Sequence, residues 1–152
     1  MSQLVGKRIT LGVTGSIAAY KAADLTSQLV KYGAEVQVVM TKGATQFITP
    51  LTMQSLSDDA VLTDSFDPGQ EERFGHLHLA RWADAYVVLP ATADLLARIT
   101  AGMANDAVTT SLLAFRGPED LPDGADFTDT CDGSRTFSPG HYAANFKGFG
   151  VT

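Results

Sequence analysis

Cysteine is almost missing from this sequence. Cys131 is the one thiol in 152 residues, which excludes an intrachain disulfide and fits a reducing compartment. Positive charge is also scarce. Eleven Lys and Arg stand against 17 Asp and Glu, a formal charge of −6, so a broad basic surface for nucleic acid is not expected. An anionic ligand would have to be held locally, by backbone amides. Long apolar runs are absent as well. The segment Met1 to Arg8 lacks the apolar core of a signal peptide, and no stretch approaches the roughly 20 apolar residues of a membrane span. A cytoplasmic protein with no membrane partner is therefore expected. Aromatic residues make up 9% of a chain that is 45% hydrophobic, so Val, Leu, Ile and Ala must fill most of the interior.

What is present is an alternation of strand and helix signals. Ile9 to Val13 reads as a strand, Thr14-Gly15-Ser16 as a tight turn, and Ile17 to Tyr32 as a helix by its apolar spacing, with Gly33 as its stop. Val36 to Met40 is a second strand, so this stretch forms a βαβ unit with parallel strands and a right-handed crossover. Thr49-Pro50 starts a further helix, and Ala60 to Thr63 reads as a short strand. Asp64 to Phe74, with Asp67-Pro68-Gly69 inside it, reads as an exposed loop. The apolar run Ala85 to Leu89 has the pattern of a strand buried on both faces. Pro90-Ala91-Thr92-Ala93 is the next turn, followed by helices over Asp94–Ala101 and Asp106–Ala114 that break at Gly102. Beyond Pro118 no period is evident.

The turns carry the candidate chemistry. Gly12-Val13-Thr14-Gly15-Ser16-Ile17-Ala18 joins a strand to a helix N-terminus, where unpaired N–H groups and the helix dipole favour a phosphate. Gly15 allows close approach and Ser16 can donate to a phosphate oxygen; an ordinary helix cap is the plain alternative. The spacing is not G-x-G-x-x-G, and Thr41-Lys42 stands where a dinucleotide ribose would want a carboxylate, which favours a mononucleotide. Pro90-Ala91-Thr92-Ala93-Asp94 follows the buried strand. Its small residues would let a flat ring lie on the backbone with Thr92 and Asp94 as polar anchors; a strand–helix connection capped by Thr92 or Asp94 is the alternative. In Gly102-Met103-Ala104-Asn105-Asp106, either Asn105 or Asp106 caps the next helix, or Met103 or Asn105 meets a ligand.

Phe74-Gly75-His76-Leu77-His78-Leu79 sets two histidines two residues apart. They share one face if the segment is extended and diverge if it is helical. Zinc needs three or four ligands, and only His141 and Cys131 remain as further nitrogen or sulfur donors, so no metal site is expected. A single acid–base histidine is the functional alternative to a surface or core histidine.

Together these segments resemble the homo-oligomeric flavin-containing cysteine decarboxylases. The matching stretches are Gly12 to Lys21, Val39-Met40-Thr41, Phe47-Ile48-Thr49-Pro50-Leu51, Gly75 to Asp84, Pro90 to Ile99 and Gly102 to Asp106. They are most similar to the decarboxylase domain of the bacterial coenzyme A enzymes that act on 4′-phosphopantothenoylcysteine. The resemblance implies a single-domain α/β fold, a flavodoxin-like (Rossmann-type) doubly wound parallel sheet over residues 1–117, with 118–152 as an atypical tail, truncated or altered. It implies FMN as cofactor at a subunit contact in a trimer or a trimer-based dodecamer. By position, Gly15, Ser16 and Ile17 would meet FMN at the first turn, Thr41 at the second, and Thr92, Ala93, Asp94 and Leu95 at the third. His76 falls on the family's catalytic histidine; His78 receives no role.

The reaction so implied is decarboxylation of 4′-phosphopantothenoylcysteine to 4′-phosphopantetheine in coenzyme A biosynthesis. Oxidation of the cysteine side chain to a thioaldehyde supplies the electron sink, His76 the acid–base group, and the flavin the hard step. The expected partners are a small-molecule substrate with a cysteine-derived carboxylate and a separate phosphopantothenate–cysteine ligase. The family's Pro-x-Met-Asn substrate clamp and its Ala-Cys-Gly-Asp flap do not occur here; Thr130-Cys131-Asp132-Gly133 is a faint echo of the latter. That departure keeps two alternatives open: decarboxylation of a peptide's C-terminal cysteine, and a flavin-binding or regulatory protein without activity.

Overall fold

The computed structural model describes residues 4–63, 75–115, 127–128 and 136–137. The loop expected over 64–74, Cys131 and His141 lie outside the described residues. Three strands, β1 (Arg8–Val13), β2 (Glu35–Met40) and β3 (Ala85–Val88), form one parallel sheet in the order β2-β1-β3. In register, Leu11 pairs with Val38 on one side and with Val87 on the other. The described helices are α1 (Ala19–Lys31), α2 (Pro50–Ser57), α3 (His76–Trp82), α4 (Ala93–Thr100) and α5 (Ala107–Ala114), with a short 3₁₀ turn at Ala44–Gln46. In the tail, β4 (Phe127–Thr128) pairs antiparallel with β5 (Thr136–Phe137).

Strand alternation splits the core into two layers. Ile9, Leu11 and Val13 of β1 and Val36, Val38 and Met40 of β2 pack on one face with Ala19 and Ala22 of α1 and Met53 of α2. Val39 packs on the other face with Leu79 of α3, Leu95 and Ile99 of α4, and Val108 of α5. β1 is flanked by a strand on each side, and its Leu11 and Val13 are wholly buried. The chain first builds out from β1 through β2, then crosses to the opposite side of β1 for β3. This is the doubly wound arrangement of a flavodoxin-like, Rossmann-type fold, and it puts the topological switch point beside β1.

Several local expectations change. α1 starts at Ala19 rather than Ile17, because the Ser16 hydroxyl accepts from the Ala18 amide at 3.2 Å and holds Thr14–Ala18 as a loop. The expected strand at Ala60–Thr63 reduces to a single parallel bridge between Leu62 and Val39. The residues before it are committed to a turn: Asp58 is left-handed at φ 59° and the Ala60 amide donates to the Asp59 carboxylate at 2.7 Å. β3 is not buried on both faces; Ala85 is exposed and Tyr86 to Val88 are half-buried, since β3 is the outermost strand among the described residues. The histidine segment is helical. No described helix is long and apolar enough to cross a membrane.

Candidate functional site

Three loops meet at the carboxyl ends of the strands. The first, Thr14–Ala18, leaves β1; the second, Thr41–Gly43, leaves β2; the third, Leu89–Thr92, leaves β3. The strand ladders run up to this rim, with the Thr41 amide donating to the Val13 carbonyl at 3.0 Å and the Leu89 amide donating to the Gly12 carbonyl at 2.9 Å. Above that level the loops are tied by other means. The Gly15 backbone lies against Gly43, so close that a Cβ on Gly15 would sit 2.8 Å from the Gly43 carbonyl carbon. The buried Thr14 hydroxyl donates to the buried Pro90 carbonyl.

Helix capping differs sharply around the rim. The hydroxyls of Thr49 and Thr92 accept from the third-residue amides of α2 and α4, and the Asp106 carboxylate does the same for α5 in a reciprocal capping box with Thr109. α1 and α3 have no side-chain cap among the described residues and no acid in the first turn; of the two, only α1 follows a glycine loop at the rim. Of the first amides of α1, Ala18 donates to the Ser16 hydroxyl, Ala19 to the Ser16 carbonyl and Lys21 to the Ala18 carbonyl. What this end offers the space between the loops is therefore a helix dipole with no first-turn acid against it.

The structure brings most of the residues expected from the sequence to this rim. Gly15, Ser16 and Ile17 lie on the first loop, with Ile17 79% exposed. Thr41 is buried on the second loop, where its hydroxyl accepts from the Ala44 amide at 3.1 Å. Thr92 and Ala93 open α4, the Thr92 hydroxyl accepting from the Leu95 amide at 3.3 Å. Two further expected residues follow on the same helix. The Asp94 carboxylate is exposed and pairs along its own helix with Arg98 at 3.0 Å, rather than capping α4. Leu95 is fully buried beside Ile99 and Val108, and its side chain anchors α4 in the core.

α3 runs down toward the start of β3, so its first residue, His76, stands at the end of the helix nearer the rim. The His76 side chain lies outside the described residues. The segment is helical, so positions 76 and 78 lie about 200° apart around its axis.

Behind the third loop, Arg98 gathers the break between α4 and α5. It donates to the Asn105 side-chain oxygen at 2.9 Å and to the Asp106 carboxylate at 2.5 Å. Burial pushes the Asp106 pKa up, but the Thr109 backbone amide and the Arg98 guanidinium outweigh it and hold the group below the usual carboxylate value. Burial also opposes the charge on Arg98, yet Asp106 and Asp94 keep its pKa above the ordinary value. This side-chain cage assigns the α5 cap to Asp106 and leaves Met103 exposed.

Sequence reasoning does not single out Thr14, Gly43 or Pro90 as site residues. The turn signal of Thr41-Lys42-Gly43 could have drawn attention to Gly43, but nothing in the spacing pairs it with Gly15. Gly12 is closely packed, since a Cβ there would meet the Val108 side chain at 3.1 Å and the Tyr86 ring at 3.2 Å.

The chain is 57% identical over 118 residues to the coenzyme A biosynthesis bifunctional protein CoaBC of Vibrio vulnificus, covering 78% of this chain and 29% of that one. It therefore spans less than a third of the length of the curated relatives it matches. Among solved structures, MrsD from a Bacillus species superposes with a TM-score of 0.67 at 31% identity, covering 78% of this chain and 68% of the other. The FMN-dependent cysteine decarboxylase SpaF superposes with a TM-score of 0.66 at 32% identity, covering 75% and 66%. The family described as Flavoprotein matches residues 1–120, and the chain belongs to that Flavoprotein family.

Proposed function

We propose that this domain binds FMN between its three rim loops and decarboxylates 4′-phosphopantothenoylcysteine to 4′-phosphopantetheine, the flavoprotein step of coenzyme A biosynthesis. The observation that carries the binding half is the N-terminus of α1, which has no side-chain cap and no first-turn acid and lies directly behind the Gly15 loop packed on Gly43. A phosphate suits that end of the helix. The small side chains of Ala91 and Ala93 leave room for a flat ring at the third loop. Gly15, Ser16 and Ile17 would hold the phosphate end, Thr41 the second loop, and Thr92 and Ala93 the ring; Leu95 supports α4 from the core, and Asp94 stands at the outer edge.

When bound, the flavin accepts and returns an electron pair, the chemistry that makes loss of carbon dioxide accessible. His76 acts as the acid–base group, with an imidazole suited to proton transfer near neutral pH. The loops orient the ring, and the buried strand ends beneath them exclude water from below.

Self-association fits the same rim. Ile17 on the first loop, Tyr20 on α1, Phe47 just after the 3₁₀ turn and Leu51 at the start of α2 are all more than half exposed, a concentration of apolar surface suited to a subunit contact. A trimer or dodecamer formed there would bring FMN to a subunit boundary. The site of action is the cytoplasm, with a phosphopantothenate–cysteine ligase supplying the substrate.

The likeness to SpaF, itself described as an FMN-dependent cysteine decarboxylase, favours a second reading in which the substrate is the C-terminal cysteine of a peptide. One experiment separates the two. Protein loaded with FMN and showing flavin absorbance is offered 4′-phosphopantothenoylcysteine or a peptide ending in cysteine, and carbon dioxide is measured. Release from the first substrate alone, abolished in His76→Asn, is expected. Release from the peptide alone selects the second reading. Bound flavin with release from neither identifies a flavin-binding protein without this activity.

A further inference from the structure

The first loop is held from two directions, and the two holds differ in kind. Toward β2 it is fixed by backbone packing, Gly15 on Gly43. Toward β3 the ladder ends with the Leu89 amide on the Gly12 carbonyl, and the next rung is a side chain: the hydroxyl of Thr14, 1% exposed, donates to the carbonyl of Pro90. Proline has no N–H and cannot extend the ladder as a donor. The Thr14 hydroxyl is therefore the one polar tie seen between first and third loops among the described residues, and it lies directly behind Gly15-Ser16 on one side and Ala91-Thr92 on the other.

Resting on the FMN reading above, we propose that Thr14 is a positioning residue, which sets the separation of the phosphate loop and the ring loop through the Pro90 carbonyl. Touching neither end of the ligand, it acts by keeping the two halves of the cleft at one spacing. Loss of the hydroxyl leaves the buried Pro90 carbonyl without this donor, and the third loop is then free to settle at a different distance from a first loop that Gly43 still holds.

The test uses two pairs of near-equal shape that differ chiefly in the hydroxyl: wild type against Thr14→Val, and Thr14→Ser against Thr14→Ala. FMN affinity is measured by quenching of flavin fluorescence. The geometry of the bound ring is read from its visible circular dichroism at saturating FMN, and the fold of each apoprotein from its thermal unfolding. The hydroxyl-bearing member of each pair should bind FMN roughly tenfold more tightly, the equivalent of about 1.4 kcal/mol and of one buried hydrogen bond. The flavin dichroism should change in Thr14→Val and Thr14→Ala and return in Thr14→Ser. If the hydroxyl-free variants lose thermal stability yet bind FMN with unchanged affinity and dichroism, the residue is structural only and the proposal is overturned. Should Thr14→Val fail to fold, the Ser and Ala pair decides by the same criterion. Failure of wild type to bind FMN would instead overturn the underlying cofactor reading.

Discussion

Gly15 and Gly43, on loops that leave different strands, are in backbone contact: a Cβ built on Gly15 would lie 2.8 Å from the carbonyl carbon and 2.9 Å from the carbonyl oxygen of Gly43. Contacts that short are not tolerated by real Cβ atoms, and the opposing atoms are main chain, which cannot rotate away. Gly43 itself is not so confined, because a Cβ there would meet Gly15 at 3.7 Å.

The pair therefore predicts an asymmetric outcome. Gly15→Ala should weaken FMN binding by at least about tenfold, as the loops are forced apart at the place where a phosphate must approach the backbone, a change worth about 1.4 kcal/mol. Gly43→Ala should change affinity by less than about threefold. Equilibrium titration with FMN checks both.

Asp106 predicts an acid-sensitive contribution to stability. Its pKa is depressed in the folded protein from an ordinary value of 3.8. The stabilisation is therefore present above that ordinary value and is lost as pH falls through the lower folded value. Asn remains a good helix cap, so Asp106→Asn removes mainly the charge facing Arg98 and should cost roughly 1–2 kcal/mol at neutral pH. Unfolding midpoints for wild type and variant should converge as the pH is lowered from about 5 toward 3 and below.

At the opposite end of the pH scale, Tyr86 is the group to watch. The Ser111 hydroxyl donates to the Ala107 carbonyl at 2.6 Å, and the Tyr86 phenol bonds the Ser111 oxygen at 2.7 Å. Burial raises the phenol's pKa above its ordinary 10.0, with Ser111 opposing the shift. The associated stability is fully present below the ordinary value and is lost as pH rises toward the folded one. Tyr86→Phe should cost about 1 kcal/mol at neutral pH and should flatten the alkaline fall in stability above about pH 10, measured by denaturant unfolding.

Leu95 and Asp94 are neighbours with opposite expectations. Leu95 is fully buried in the core beneath α4, so Leu95→Ala should destabilise by about 2–5 kcal/mol. Asp94 has an exposed carboxylate in an i,i+4 pair with Arg98, and Asp94→Ala should cost under about 0.5 kcal/mol. Urea unfolding of both variants measures the difference directly.

The three paired strands and their order of appearance are legible in the letters. The run Val36 to Met40 carries no polar interruption but Gln37, as a strand enclosed by helices requires. Gly33 follows α1 at φ 92°, a left-handed residue of the kind that closes a helix. Thr92 and Asp106 are both candidate caps from sequence, because capping is a matter of a few adjacent residues. The motif resemblance points to the rim turns for the same reason: each is a continuous segment whose residues are neighbours in the chain. The helical state of His76 to Trp82 is not decidable locally, since two histidines two apart suit either conformation until the helix packs Leu79 into the core.

What sequence alone determined about this protein is its alternating α/β pattern, the rim turns and the family they resemble, because those depend on periodicity and on short-range stereochemistry. Tertiary structure decided how the turns are joined. Gly15 meets Gly43, Thr14 bonds Pro90 across 76 positions, and Leu95 packs into the core. Such relations arise only when parallel strands are brought into register, since a sheet makes neighbours of residues that no local spacing connects.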